Sequence, residues 1–322
     1  LEAVAGADLV RYWLPDVPNW SSSLVLLVML TLTNLVSVKS FGEFEFWFAS
    51  IKVAAIVVFL FVAGVYVLGL TPASQGMHFG NLTGNGGFMP NGIVPVLTGA
   101  VAATGFYFGA EIVTIAAAET AEPQKAVAKA TSSVITRVLV FYVGSIFLVA
   151  CLVPWNAVGI ATPYVSALNT MGVPAAAQIM NAIVLTAVLS ALNSGLYASS
   201  RMLFALTRRG DAPQALAKVS RNGVPTRAIL VATVFGYGAV VMSYVSPDKV
   251  FAFLVNSYGT VAIFVYILIA ISQLRLRSRL EREAPHLLKV RMWCYPYLTW
   301  FAIFGMLSIV IAMAFIPVSY TH

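Results

Sequence analysis

Residues 54–70, AAIVVFLFVAGVYVLGL, contain no charged side chain. The hydrocarbon core of a bilayer is about 30 Å thick, and roughly 20 consecutive apolar residues cross it as a helix. Runs of this kind recur along the chain, and eight spans are read at about 21–38, 47–70, 92–118, 134–153, 174–206, 228–246, 249–271 and 293–316. Backbone groups in lipid must be satisfied within a helix or around a closed barrel. A barrel needs alternating strands of ~10 residues, and no such alternation is present, so the expected class is an all-α polytopic membrane protein. The overall composition agrees: 60% of residues are hydrophobic and 10% charged, against about 25% charged in soluble domains.

The net charge of +7 raises the possibility of a nucleic-acid partner, but its distribution argues against one. Segments 39–52, 119–137, 201–227 and 274–292 hold 2, 3, 6 and 6 of the 19 Lys and Arg residues. Only Arg11 and Lys249 fall on the other side, and the long loops 71–91 and 154–173 have none. Basic residues accumulate in cytoplasmic loops, so these segments are expected inside and the charge is topogenic. The lipid bilayer is the expected surroundings, with no nucleic acid and no obligate protein partner. On this topology LEAVAGADLVRYWLPDVPNW reads as the tail of an earlier helix entering an outer loop, and the chain as a piece of a longer transporter.

Cys151 and Cys294 fall near opposite faces, and His78, His286 and His322 lie in loops or at the terminus. No metal spacing and no nucleophile–base pair stands out, so no cofactor, no metal and no enzymatic activity are expected.

A lipid-facing helix needs only apolar side chains, whereas three spans carry small and polar groups near their centres: TGFYFGAE (104–111), SALNSGLYASS (190–200) and VNSYGT (255–260). Gly105 and Gly109 bracket three aromatic residues. Each glycine weakens a helix by about 1 kcal/mol relative to alanine. A helix broken there would expose peptide groups, which membrane depth tolerates only where they line a cavity; broken helices around a midplane pocket mark many secondary transporters. The plainer alternative is close helix packing through small residues.

Two charges sharpen this reading. Glu111 lies about 10 Å inside the cytoplasmic end of its span at 1.5 Å per residue, and Lys52 about five residues inside the end of the second. A charge deep in the bilayer costs about 2.5–3.5 kcal/mol on insertion scales and is usually retained for a function. Against that stand a snorkelling Lys52 and a static structural hydrogen bond at Glu111. Glu119 reads equally as an interfacial acid or a loop anchor. The cytoplasmic segment ETAEPQKAVAKATSSVITR, with Pro123 as a helix starter, suits a short helix along the membrane. Segment 207–227 reads as a loop and RLRSRLEREAPHLLKVR as an amphipathic connector.

FYFGAEIVTIAAAETAEPQKA, SGLYASSRMLFALTRRGDAPQALAKVSRNGVP and SVKSFGEFEFWFASIKV together resemble the amino-acid permeases of the amino acid–polyamine–organocation superfamily. GGFMPNG, GAEIVTIAAAE and RMWCYPYLTW resemble most the bacterial 4-aminobutyrate (GABA) permeases. The likeness runs the full length. It implies a single transmembrane transporter domain over 1–322 with the inverted five-helix-repeat fold, eight of an expected twelve spans being present. Residues 92–271 would be a complete second repeat, 21–70 the end of the first, and 293–316 an additional span; the first helices and the last would be missing. It also implies a helix break at Phe106–Ala110, so that Gly105, Phe106, Tyr107, Phe108, Gly109 and Ala110 bind an amino-acid substrate, with Asn193, Ser194 and Ser257 facing the pocket. Lys52 matches a lysine standing where sodium-driven relatives hold their ion, and Glu111 an acid linked to gating, which implies proton coupling powered by the proton motive force. Many members have proline where this chain has Ala128, a departure that lessens likeness to lysine or aromatic permeases.

The function implied is a symporter importing GABA or a related amino acid by alternating access, as a multi-pass protein of the bacterial cytoplasmic (inner) membrane. Burial disfavours an ammonium relative to its neutral amine, so a lysine can serve as the proton carrier. A permease or exchanger for another amino acid, and a sensor or scaffold without turnover, remain open alternatives.

Overall fold

The structure, a computed structural model, describes residues 1–36, 38–72, 74, 78–96, 99, 103, 109, 122–157, 162–220, 223–288 and 292–315. Among these there is no strand, and the order of elements is α1 (Glu2–Val10), α2 (Asn19–Val36), α3 (Val38–Val67), α4 (Gly80–Thr83), α5 (Pro123–Arg137), a π-helical stretch (Val138–Val143), α6 (Gly144–Leu152), α7 (Pro163–Thr170), α8 (Ala176–Arg209), a 3-10 turn (Gln214–Ala217), α9 (Thr226–Val245), α10 (Pro247–Glu283), a 3-10 turn (Pro285–Leu287) and α11 (Tyr297–Phe315). Six helices among the described residues are long and apolar enough to cross a membrane: 19–36, 41–67, 125–152, 176–209, 226–245 and 261–283; a shorter apolar helix covers 297–311. These correspond to seven of the eight expected spans. The remaining one, 92–118, lies mostly outside the described residues.

Two segments expected to stand apart from the spans are continuous with them. Residues 39–46, read as a cytoplasmic segment before the second span, are the first turns of α3, which is 30 residues long and so about 45 Å at 1.5 Å per residue. Phe41, Phe44, Phe46, Trp47 and Phe48 are compatible with either state, and only the continuity of the backbone decides. Similarly, the segment read as a separate helix along the membrane, α5, continues through the π-helical stretch into α6 with no intervening loop. Pro123 does open that helix, where its missing N–H costs nothing. The end of α8 follows the rules closely: Arg208 and Arg209 occupy its last turn, and Gly210 closes it at φ 85°, the left-handed cap that glycine adopts without strain.

The described chain forms two compact units, Leu1–Phe88 with Thr136–Ala252 and Met89–Ile135 with Phe253–His322. In the first unit α2 lies among α1, α8 and α9, its buried Leu27 and Leu30 meeting Ala3, Leu196 and Val240. Small residues permit this proximity: a Cβ added at Gly236 of α9 would stand 3.1 Å from Leu27 Cδ2. Close backbone approach of this type substitutes for the hydrophobic drive that lipid does not supply. A second cluster joins Phe59, Ala63, Tyr66 and Val67 of α3 to Val149, Cys151 and Leu152 of α6 and Ala167 of α7. Opposite faces of these helices expose Val57, Val58, Phe61, Val234 and Phe235, a surface suited to acyl chains.

In the second unit, the polar end of α10 carries Arg277–Glu281 and Arg279–Glu283 pairs at i, i+4 spacing. The Arg277 guanidinium also stands 4.3 Å over the Tyr295 ring. The first part of the amphipathic connector RLRSRLEREAPHLLKVR, residues 275–283, is thus the end of α10 itself, and the 3-10 turn Pro285–Leu287 follows it.

Candidate functional site

α3 presents a glutamate and a lysine seven residues apart, a spacing that returns to nearly the same helix face. Both side chains meet one hydroxyl on α8. Lys52 Nζ donates to Ser190 Oγ at 2.7 Å, and Ser190 Oγ donates to Glu45 Oε1 at 2.6 Å. Ser190 is 1% exposed, and both charged residues are half-buried. The amine is therefore turned onto a neighbouring helix near the midpoint of α3, not extended along the helix to an interface. Among the described residues Glu45 Oε2 is buried without a hydrogen-bond partner, so there the carboxylate is only half satisfied. Hydrogen bonds with an ionised partner are roughly twice as strong as neutral ones, and here a single hydroxyl serves two of them.

One turn further along α8 is a second polar contact. Asn34 of α2 donates from Nδ2 to Asn193 Oδ1 at 2.9 Å, and to Leu30 O at 2.9 Å. Asn193 is fully buried and Asn34 nearly so, yet Asn193 Nδ2 and Asn34 Oδ1 have no partner among the described residues. A buried donor and acceptor left open at one contact carry a desolvation cost of about 1–3 kcal/mol each. Beyond them Phe41 stacks on Tyr197, centroids 4.0 Å apart and planes 13° from parallel, with the Arg201 guanidinium 3.8 Å from the Tyr197 ring. One face of α8 thus meets α3 and α2 through Ser190, Asn193 and Tyr197, at intervals of three and four.

Of the site residues expected from sequence, Lys52, Asn193 and Ser194 are described in this unit; Ser194 is half-buried on α8. Gly109 is described as a turn with φ 112°, a value outside the helical range and one that glycine adopts far more readily than other residues. Gly105, Phe106, Tyr107, Phe108, Ala110, Glu111 and Glu119 lie outside the described residues. Ser257 belongs to α10, with its side chain outside the description. Glu45 and Asn34 are not among the site residues expected from sequence, and Ser190 enters only as one of several small polar residues in SALNSGLYASS. The i, i+7 repeat of Glu45 and Lys52 was available as a signal, but reading 39–46 as a connector concealed it.

Ser190→Ala removes the hydroxyl and leaves a carboxylate and an amine facing a methyl group. It is expected to lower stability by about 1–3 kcal/mol, the usual cost of a polar group deprived of its buried partner. Ser190→Thr, which keeps the hydroxyl, is expected to stay close to the parent. Thermal unfolding of the detergent-solubilised variants checks both.

The amino acid permease family model matches residues 1–321. The gamma-aminobutyric acid permease of Bacillus subtilis is 54% identical over 317 residues, covering 98% of this chain and 68% of that protein. The gamma-aminobutyric acid permease of Escherichia coli is 44% identical, covering 98% of this chain and 68% of that protein. The aromatic amino acid transport protein AroP of Corynebacterium glutamicum is 39% identical, covering 92% and 65%. The chain thus spans about two thirds of the length of the relatives it matches. Apolar helices long enough to cross a membrane, buried polar contacts between them, and a family match along nearly the whole chain lead to one conclusion: this protein belongs to the amino acid permease family, as a multi-pass membrane transporter rather than an enzyme.

Proposed function

We infer that this permease imports GABA or a closely related amino acid together with protons, by alternating access in the bacterial cytoplasmic membrane. The observation that carries the coupling is the Lys52–Ser190–Glu45 chain, a hydrogen-bonded path between a cation and an anion on α3 through a hydroxyl on α8. With the coupling proton on Nζ, the ammonium donates to Ser190 and the hydroxyl donates to Glu45, which holds α3 on α8. When that proton leaves for water, the amine loses its charge-assisted bond and the two helices are free to re-pack. Glu111, at a similar depth on the sequence reading, is the partner proposed to sense the change.

Substrate binding is assigned to the peptide groups around Gly105–Ala110, where the turn at Gly109 supports a chain that leaves the helical path, together with Asn193, Ser194 and Ser257. Asn193 contributes a buried amide donor that no described residue uses. Asn193→Ala is therefore expected to raise the KM for GABA by about tenfold, the equivalent of one hydrogen bond at 1.4 kcal/mol, while kcat changes less. Initial-rate uptake over a range of GABA concentrations separates the two constants.

GABA is favoured over other amino acids because relatives at 54%, 44% and 43% identity bear GABA-permease names. A permease for a different amino acid is the second reading, supported by the 39% identity to the aromatic transporter and to the L-asparagine permease of Salmonella typhimurium. Uptake of labelled GABA into proteoliposomes in competition with β-alanine, lysine, phenylalanine and proline decides between them. Competition by β-alanine alone supports the first reading; an absence of GABA uptake alongside uptake of another amino acid replaces it with the second.

A further inference from the structure

A groove of about 400 Å³ opens at the C-terminal end of α1, the N-terminal end of α2 and the C-terminal end of α9, lined by Arg11, Asp16, Asn19, Trp20, Ser243 and Tyr244 among others. These are the ends of α2 and α9 remote from the basic segments at 39–52 and 201–227. Arg11 is thus one of only two basic residues on its side of the chain. Its volume falls within the range of about 300–1,000 Å³ typical of small-molecule sites.

The polar groups of the groove are unspent. Ser243 is 3% exposed and its Oγ has no partner among the described residues. Asn19 uses its amide N–H toward Asp8, which leaves a buried Oδ1 that nothing occupies. Among the described residues neither Arg11 nor Asp16 is in an ion pair. Trp20 and Tyr244 meet edge to face at 5.7 Å and form an aromatic wall. The groove therefore sets an exposed guanidinium and an exposed carboxylate beside a buried hydroxyl that can donate and a buried amide oxygen that can accept.

We propose that this groove is a second binding site, separate from the helix-embedded one, and that it takes a zwitterion bearing an anionic oxygen group and a primary ammonium. The anion pairs with Arg11 and the Ser243 hydroxyl; the ammonium pairs with Asp16 and Asn19 Oδ1. A simple anion would leave Asp16 unmatched and a simple cation would leave Arg11 unmatched, whereas a zwitterion satisfies both signs and both orphaned atoms. Two sources supply that chemistry at a membrane surface: a free amino acid, and the headgroup of an ethanolamine phospholipid beside the interfacial aromatics.

The test uses the permease in nanodiscs, with Cys294→Ser and a reporter thiol at Val17→Cys on the groove wall, labelled by a membrane-impermeant thiosulfonate. In phosphatidylglycerol discs, GABA at tenfold excess over its Kd is expected to slow labelling about tenfold by mass action. If phosphatidylethanolamine discs slow labelling without GABA, the headgroup is the occupant. In either case Arg11→Gln and Asp16→Asn must each abolish the protection, and Lys52→Met must leave it intact while removing coupled transport. No protection in either disc overturns the proposal, as does protection that survives both groove substitutions. Protection that vanishes in Lys52→Met also overturns it, because the reporter would then be reading a rearrangement of the transport site.

Discussion

Lys52→Ala is expected to abolish pH-driven accumulation of GABA while leaving counterflow exchange largely intact. In proteoliposomes with the membrane potential clamped at zero and a pH difference of about two units, a one-proton symporter can sustain a concentration ratio of up to about 100, since each unit supplies about 1.4 kcal/mol. Without the lysine no group carries the proton through the cycle, so the ratio is expected to settle near one. Counterflow needs only that the substrate site alternate, and alanine frees α3 and α8 to do so. Lys52→Arg provides the complementary control. A guanidinium keeps its proton at all accessible pH, so it preserves the contact with Ser190 and Glu45 but cannot release the coupling ion; accumulation should fail although the protein remains stably folded. Undiminished accumulation by the alanine variant would remove Lys52 from the coupling mechanism.

The helical membrane class was readable because lipid leaves a chain few choices. Long uncharged runs such as 54–70 must be helices there, and the structure has α3 covering that run as far as Val67. Boundaries were less readable, for a specific reason. Phe44, Glu45, Phe46 and Trp47 alternate charge and aromatics in a way that serves a connector and a helix equally, so the start of α3 depended on tertiary packing against α8. The functional partners of Lys52 followed the same logic. A buried lysine announces from sequence that it needs a partner, but not which. Glu45 sat in a stretch assigned to the cytoplasm, and Ser190 was one of several small polar residues in SALNSGLYASS. Only the packing of α3 on α8 selected them. Asn193 was named from resemblance, while its contact with Asn34 joins positions 159 residues apart and has no local signature.

If the bridge is energetically real, its two charges must be coupled through Ser190, and this can be measured apart from transport. Lys52→Met leaves Glu45 half-buried with a single hydroxyl donor, and its Oε2 is already unpartnered. Glu45→Gln leaves the amine with a hydroxyl whose acceptor is no longer charged. Each single change is expected to cost about 1.5–3 kcal/mol, the range for hydrogen bonds to charged groups. The double variant removes both charges together and leaves an apolar side chain and a neutral amide near Ser190, so its loss should fall short of the sum by about 0.5–3 kcal/mol. Replacing a paired charge set often costs less than breaking it. The measurement is thermal or denaturant unfolding of the four proteins in one detergent. Additivity within about 0.5 kcal/mol would mean that the two groups act independently, and α3 would then be held on α8 by packing alone. Coupling of the expected size, in a double variant that folds well yet fails to accumulate substrate, would separate the bridge as a structural clasp from the proton it carries.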